Sequence, residues 1–185
     1  MARDELVRSE DAPAKYLRFP VVSEGAEYLV MGYLMRRNIL TYKAPPLNEG
    51  YDLICIHPDP RHRPRKGKKS QLRIQVKSRY STNAQRGFPI KSVSLNAFDY
   101  LIVVFLNIGK FARGMDGLEG LEPPEFYTLS RRQIKRWHDS NSSWEKVNLR
   151  GKHRTLERYR DEAGFELIAE ELGVARPTEH LVSLR

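Results

Sequence analysis

The chain has 185 residues, of which 40% are hydrophobic and 30% are charged, and its formal net charge is +9. This composition excludes a disordered chain, and no apolar run approaches the roughly 20 residues of a membrane span. Cys55 is the only cysteine, which excludes an intramolecular disulfide, and the charged stretch 1–11 lacks the apolar core of a signal peptide. We therefore expect a single cytoplasmic domain.

The positive charge is concentrated in one part of the chain. Residues 57–92 contain 11 Lys/Arg and one acidic residue, which gives this segment a net charge of +10. The segments 1–56 and 93–185 have net charges of −1 and 0. A basic block of this kind attracts polyanions such as nucleic acid, although an exposed, well-hydrated loop has the same composition.

An amphipathic helix is predicted after a polar N-terminal arm, residues 1–22. Ser23 is placed to cap a helix that begins at Glu24, because a serine side chain accepts hydrogen bonds from free backbone N–H groups. Asn38 is placed to end this helix, since asparagine tolerates the left-handed conformation that is common there.

Three short strands are predicted next. Strands over 39–44 and 51–56 are separated by a turn rich in proline and glycine, and 71–78 alternates apolar with polar residues. The segment 57–70 contains three prolines and most of the basic block. We expect it to be an exposed connection that joins the second and third strands into a hairpin.

The second half of the chain predicts two more strands and two helices. The apolar run 99–107 is typical of a strand covered on both faces, and 125–130 is a shorter strand. Ser130 is placed to cap a basic helix over 131–140, and 161–173 is amphipathic. Loops are predicted over 79–96, 109–124 and 141–160.

This order of elements predicts an α/β fold with a mixed central sheet flanked by helices. We divide the chain into an arm (1–22), a core (23–140) and a C-terminal helical extension of the same domain (141–185). The core contains all the predicted strands.

Four polar residues interrupt the apolar pattern of this core. Glu27 lies at the edge of the helix's apolar stripe, and Asp52 interrupts the start of the second strand. Gln75 and Lys77 are two residues apart on the third strand, so their side chains project from one face. In a hairpin, Asp52 lies beside this pair. Hydrolysis of a phosphodiester uses such oxygen ligands and an ammonium around a cation such as Mg²⁺.

The helix and hairpin resemble the common core of the PD-(D/E)xK nuclease superfamily over roughly residues 23–107. Glu27, Val30 and Leu34 match the spaced positions of that superfamily's first helix. Asn38 stands at the last of these positions, where relatives usually have glycine. "GYDLI" resembles the strand with the metal-binding Asp, and "IQVKSR" resembles the (D/E)xK strand with Gln in place of the acid. In this it is similar to a homing-endonuclease branch and to small nuclease-like domains.

The resemblance implies a restriction-endonuclease-like core and an endodeoxyribonuclease that depends on Mg²⁺ or Mn²⁺. It implies that Asp52 is the main metal ligand and that Gln75 is a metal ligand or positions water. Glu27 would bind the metal directly or through water, and Lys77 would orient the attacking water and stabilise the transition state. Because a neutral amide supplies less charge than a carboxylate, a non-catalytic nucleic-acid-binding module with the same fold stays open.

We expect DNA to be the partner, bound by the basic connection and by the end of the third strand. The predicted contacts are Arg61, Arg63, Arg65, Lys66, Lys68, Lys69, Ser78, Arg79 and Tyr80. Cutting both strands needs two sites, so we expect a homodimer or a larger homo-oligomer, without a membrane partner. A protein-interaction subunit, with salt-insensitive or absent DNA binding, is the remaining alternative.

Overall fold

The computed structural model describes residues 21–81, 87–109, 118–141 and 144–176. In these ranges the helices are α1 (Val22–Arg36), α2 (Arg131–Trp137), α3 (His153–Leu156) and α4 (Asp161–Leu172). The strands are β1 (Leu40–Lys43), β2 (Leu53–Ile56), β3 (Gln71–Arg79), β4 (Gly87–Pro89), β5 (Tyr100–Phe105), β6 (Glu125–Ser130), β7 (His138–Asp139) and β8 (Lys146–Asn148).

Five strands form a mixed central sheet in the order β1–β2–β3–β5–β6. Strands β1, β2 and β3 are antiparallel, β5 is parallel to β3, and β6 is antiparallel to β5. Every residue of β5 is buried. A strand covered on both faces needs an apolar side chain at nearly every position, which explains the apolar run in this part of the sequence.

Helices α1 and α4 cover one face of the central sheet. Val30 and Leu34 of α1 and Phe165 of α4 pack into one buried cluster with Ile74 and Val76 of β3. The apolar residues of α1 therefore recur every three or four positions because this helix has a single buried face.

The opposite face is covered by α2 and by a small antiparallel sheet with the order β4–β8–β7. Phe88 of β4, Ile134 of α2 and Val147 of β8 form a second buried cluster with Leu101 and Val103 of β5. The central sheet thus separates two apolar layers, and β3 and β5 contribute side chains to both of its faces.

The predicted fold class is confirmed, because a mixed central sheet is flanked by helices. All five predicted strands are present, and their ends differ from the predicted ends by at most two residues. Asn38 ends the first helix as predicted, with a left-handed φ of 64°. The prediction for Ser23 is wrong, because α1 begins at Val22 and no side chain caps it, so Ser23 lies within the first turn.

Three short strands were not predicted. β4 and β8 lie in segments predicted as loops. α2 ends at Trp137 and β7 begins at the next residue, so this helix is three residues shorter than the predicted helix 131–140. Strands of two or three residues are too short to show a period of two in the sequence, and they depend on one another for pairing.

Cys55 lies on the α1 side of β2 and is fully buried, with its Sγ 3.7 Å from the hydroxyl of Thr41. Burial raises the pKa of this thiol to about 12, although the Thr41 hydroxyl opposes the effect. The predicted arm lies almost entirely outside the described residues. Within the described ranges, no helix combines the length and the apolar character needed to cross a bilayer.

Candidate functional site

Strand β3 extends beyond its neighbour β2 and leaves part of one edge uncovered. The pairing of β2 with β3 reaches only as far as Leu53 opposite Ile74. From Gln75 to Arg79, β3 continues with β5 on its other edge. Asp52 lies where β2 begins, and its backbone N–H donates to the carbonyl of Ile74 at 2.8 Å. Its side chain therefore lies at the start of the uncovered edge.

Asp52 and Gln75 are in direct contact. Nε2 of Gln75 donates to Oδ2 of Asp52 at 2.5 Å and lies 3.4 Å from the carbonyl oxygen of Val76. The same Oδ2 accepts the backbone N–H of Val76 at 2.7 Å, so the carboxylate replaces the next bond of the β2–β3 ladder. Gln75 is only 8% exposed, and its amide nitrogen is satisfied by these two acceptors.

The Gln75 amide lies between a carboxylate oxygen and a backbone carbonyl oxygen, which is also a favourable place for a cation. Rotating the amide by half a turn exchanges Nε2 with Oε1 and presents a third oxygen. Such hard ligands suit Mg²⁺ or Mn²⁺. In the described part of the chain, no three Asp, Glu, His or Cys side chains form a metal site. The residues therefore fit a cation through one carboxylate, one amide and one backbone carbonyl.

Lys77 continues the polar row on the same face of β3. Gln75 lies opposite Leu101 and Lys77 opposite Val103, both on β5, so the two polar side chains share one face. Lys77 is half-buried, and among the described residues its ammonium has no ion-pair or hydrogen-bond partner. An unpaired ammonium in this position is available to an anionic ligand.

Glu27 lies on the other face of the sheet and has a different partner. Its carboxylate forms an ion pair with the ammonium of Lys43 at the end of β1. Burial opposes the charge of Lys43, but the hydrogen bond and the charge of Glu27 outweigh it and raise the pKa of Lys43. The N–H of Ala44 donates to the carbonyl of Asp52 at 2.8 Å, so the Glu27–Lys43 pair adjoins the candidate site without entering it.

The structure thus brings together three of the four residues predicted to carry the chemistry, Asp52, Gln75 and Lys77. The sequence analysis missed Lys43 and the carbonyl of Val76. Lys43 is two residues before the turn 45–50 that leads to Asp52, and this closeness in sequence was the signal that could have identified it. The Val76 carbonyl could not be predicted, because every residue has a backbone carbonyl and the pattern of side chains does not show which one faces the site.

A cleft of about 210 Å³ lies between the start of α1 and the end of β3. It is lined by Val22, Ser23, Ser78, Arg79 and Tyr80. Residues alternate along a strand, so Ser78 faces the α1 side whereas Lys77 faces the other side. The uncovered edge of β3 therefore separates this cleft from the polar row of Gln75 and Lys77.

Arg79, predicted as a nucleic-acid contact, is also part of the protein's own packing. Its guanidinium donates to the carbonyl of Gly87 at 2.6 Å and lies 4.8 Å from the ring centre of Phe88. Burial lowers the pKa of Arg79. Arg79 therefore ties the end of β3 to β4 and the small sheet.

The basic connection, residues 57–70, lies at the opposite end of β3 from Lys77. It leads into β3 at Gln71, and six residues of strand, roughly 20 Å, separate Gln71 from Lys77. Arg61 pairs with Asp59 at 3.1 Å. Besides Lys69, five exposed cations lie on this connection, namely Arg61, Arg63, Arg65, Lys66 and Lys68. They form a surface separate from the cleft rather than a border of it.

Lys69 fixes the end of this connection to the core. Its ammonium lies 3.0 Å from Oδ1 of Asp99 and 3.1 Å from Oε1 of Glu171 on α4. Burial alone would raise the pKa of Asp99, but the N–H of Arg73 and the ammonium of Lys69 outweigh it and hold that pKa below its ordinary value. Lys69 was predicted as a nucleic-acid contact, and its two ion pairs also give it a structural role, because they anchor the connection to the core.

Comparison with known proteins yields little. No protein-family model matches the chain, and no curated protein matches it. Among solved structures, the chain is similar to a bacterial homing endonuclease, I-Ssp6803I, with a TM-score of 0.38 and 13% sequence identity. This alignment covers 74% of the present chain and 90% of that one.

Proposed function

We propose that this chain is a metal-dependent endonuclease that hydrolyses phosphodiester bonds in DNA. The proposal is carried by the contact of Asp52 with the Gln75 amide beside the Val76 carbonyl, next to the unpaired ammonium of Lys77. Oxygen ligands beside an available cation are the groups that stabilise a phosphate during hydrolysis. The net charge of +10 in residues 57–92 favours a polyanionic substrate.

Each residue has a separate role in the proposed reaction. Asp52, the amide oxygen of Gln75 and the Val76 carbonyl hold Mg²⁺ or Mn²⁺, which when bound supplies Lewis-acid chemistry. Lys77 binds the phosphate, orients the attacking water and neutralises the charge that develops on the phosphate oxygens. Glu27 is paired with Lys43 on the other face of the sheet, so we assign it no direct part in the proposed chemistry.

The proposed partner is duplex DNA, and the proposed assembly is a homodimer or a larger homo-oligomer. One chain carries one candidate site and cuts one strand at a time. Two copies related by a two-fold axis present two sites to the two antiparallel strands, which explains why a double-strand cut requires the assembly.

A non-catalytic DNA-binding module with the same fold is the second candidate. Gln75 donates a hydrogen bond to Asp52, and Glu27 is paired with Lys43, so these polar groups are satisfied without any cation. In such a module, Lys77 and the basic connection bind phosphates and no bond is cleaved.

Nicking of supercoiled plasmid DNA in Mg²⁺ or Mn²⁺ tests the endonuclease. Asp52→Asn keeps the shape of the side chain but removes its charge, and Lys77→Met removes the ammonium from a side chain of similar length. We expect each change to lower the nicking rate by about 100-fold or more. Lys135→Met, an exposed lysine of α2 outside both the site and the basic block, is the matched control and keeps the wild-type rate.

DNA binding in EDTA separates the two candidates. For a nuclease, Asp52→Asn abolishes nicking in Mg²⁺ while its affinity for DNA in EDTA stays within a few-fold of the wild type. For a binding module, the wild-type chain binds DNA but nicks none in either metal. That second outcome replaces the endonuclease with the binding module.

A further inference from the structure

We propose that Leu47 is a wedge that enters between base pairs of duplex DNA beside the candidate site. This rests on the proposed function, because it takes DNA as the partner. Leu47 lies in the loop between β1 and β2 and is 100% exposed, the greatest exposure of any large apolar side chain in the described part of the molecule. A leucine with no apolar contact of its own is suited to a partner outside the chain.

The backbone at Leu47 adopts a conformation that is unfavourable for leucine. Its φ of 63° is left-handed. The N–H of Asn48 donates to the carbonyl of Pro45 at 3.1 Å and closes a turn with Pro46 and Leu47 at its centre. After a proline at such a turn, glycine is the residue that best tolerates a positive φ. The strained leucine does not stabilise its own turn, so folding does not explain its presence.

The loop that carries Leu47 is anchored to the core. Nδ2 of Asn48 donates to the carbonyl of Tyr51 at 2.7 Å. Gly50, with a φ of 102°, approaches Ala97 so closely that an added Cβ would lie 2.4 Å from the Cβ of Ala97. Tyr51 packs against the second buried cluster. A side chain on an anchored loop can separate base pairs, because the anchored backbone does not shift when the stacked bases resist.

The loop begins and ends at the candidate site. The N–H of Ala44 donates to the carbonyl of Asp52 at 2.8 Å and closes the loop 45–51 on Asp52. This loop has no Lys or Arg and one acidic residue, Glu49, so it is not built to bind phosphates. Its tip presents apolar surface, and apolar side chains such as leucine and proline enter the minor groove and partly unstack base steps.

A wedge selects DNA by how easily its base pairs unstack. Mismatched pairs, nicks and flexible pyrimidine–purine steps separate more readily than a regular, fully paired duplex. The substrate class is therefore duplex DNA with a weakly stacked step close to the phosphate that is cut.

Binding to two duplexes tests the wedge without any cleavage. The full-length protein is titrated, with Ca²⁺ in place of Mg²⁺, against a fully paired duplex and a copy with one central mismatch beside 2-aminopurine. We expect the wild type to bind the mismatched duplex about tenfold more tightly and to raise its fluorescence. Leu47→Gly binds both duplexes equally, without the rise in fluorescence. Because glycine suits this φ, the variant melts at or above the wild-type temperature.

Val93→Ala is the matched control. Val93 is 85% exposed on the short turn Ser92–Asn96, which leads to Ala97 beside the same loop. This variant loses exposed apolar surface near Leu47 without changing the proposed wedge, so it keeps the tenfold ratio and the rise in fluorescence.

Two results overturn the wedge: a wild-type protein that binds both duplexes equally, and a tenfold ratio retained in Leu47→Gly. A retained ratio together with an altered sedimentation coefficient would assign Leu47 to a protein interface instead. None of these affects the nicking test, which depends on Asp52 and Lys77. A wild-type protein that binds no duplex overturns the proposed function together with the wedge.

Discussion

At the scale of single residues, the carboxylate of Asp52 holds the candidate site together, because it accepts from both the Gln75 amide and the backbone N–H of Val76. Alternation places Gln75 and Lys77 on one face of a strand, and a hairpin brings Asp52 opposite them. The pairing of Glu27 with Lys43 depends on how α1 packs across the sheet, and a sequence pattern does not fix that geometry. The neutral Gln75 amide leaves the site stable without a cation.

Gln75→Glu is expected to make folding stability depend on a divalent cation. The new carboxylate would lie against Asp52, and their repulsion would lower the free energy of unfolding by about 1–3 kcal/mol in EDTA. Mg²⁺ at ten to a hundred times its Kd would restore about 1.4–2.7 kcal/mol. Urea denaturation in EDTA and in Mg²⁺ measures both effects.

Gln71→Glu is the matched control for this prediction. Gln71 lies on the same strand and face as Gln75, but it is exposed and at the far end from Asp52. Its stability is expected to be the same in EDTA and in Mg²⁺. An equal response of the two variants would show that the cation does not bind between Asp52 and Gln75.

At the scale of elements, the five strands of the central sheet could be predicted and their order in the sheet could not. Alternation or a continuous apolar run marks β3 and β5, because their side chains must match the layers on both faces. The parallel pairing of β3 with β5 joins two strands that residues 80–99 separate in sequence, so no local pattern predicts it. The small sheet was missed because β4 and β7 take their stability from pairing with β8 rather than from local sequence.

Two glycine-to-alanine changes on helices are expected to have opposite effects. A Cβ at Gly164 of α4 would lie 2.4 Å from the carbonyl oxygen of Tyr159 and 2.7 Å from the hydroxyl of Thr128, so Gly164→Ala should destabilise the fold by about 1–3 kcal/mol. A Cβ at Gly32 of α1 meets no atom within 4 Å. Gly32→Ala should therefore stabilise it by about 0.5–1 kcal/mol.

Thermal and urea denaturation of the two variants measure this difference. Gly32→Ala controls for the general effect of replacing a helical glycine, so the sign of the change at Gly164 reports the approach of α4 to β6. Stabilisation by Gly164→Ala would show that α4 does not lie against Thr128 in the folded protein.

At the scale of the whole molecule, the groups proposed to contact DNA lie at both ends of β3. The exposed cations of the basic connection are at one end and Lys77 is roughly 20 Å away. This separation corresponds to about six base pairs at 3.4 Å each. A duplex lying along β3 would therefore contact both regions at once. The basic connection would bind DNA phosphates about six base pairs from the phosphate that is cut.

The double variant Lys66→Gln/Lys68→Gln is expected to weaken the salt dependence of DNA binding. If each lysine neutralises one phosphate, the slope of log K against log[salt] becomes less negative by about 1.8. Fluorescence anisotropy at four salt concentrations measures it. The matched control is Arg132→Gln/Lys135→Gln, which removes the same charge from exposed positions of α2. Equal changes in slope would show that DNA does not engage the connection in particular.

The buried thiol of Cys55 gives the molecule a built-in reporter. With its pKa raised to about 12 and no access to solvent, this thiol stays inert to alkylating reagents while the sheet is closed. Leu47→Cys could therefore be labelled with a fluorophore without first replacing the native cysteine. In the unlabelled wild type, the slow modification of Cys55 would measure how often β2 separates from its neighbours.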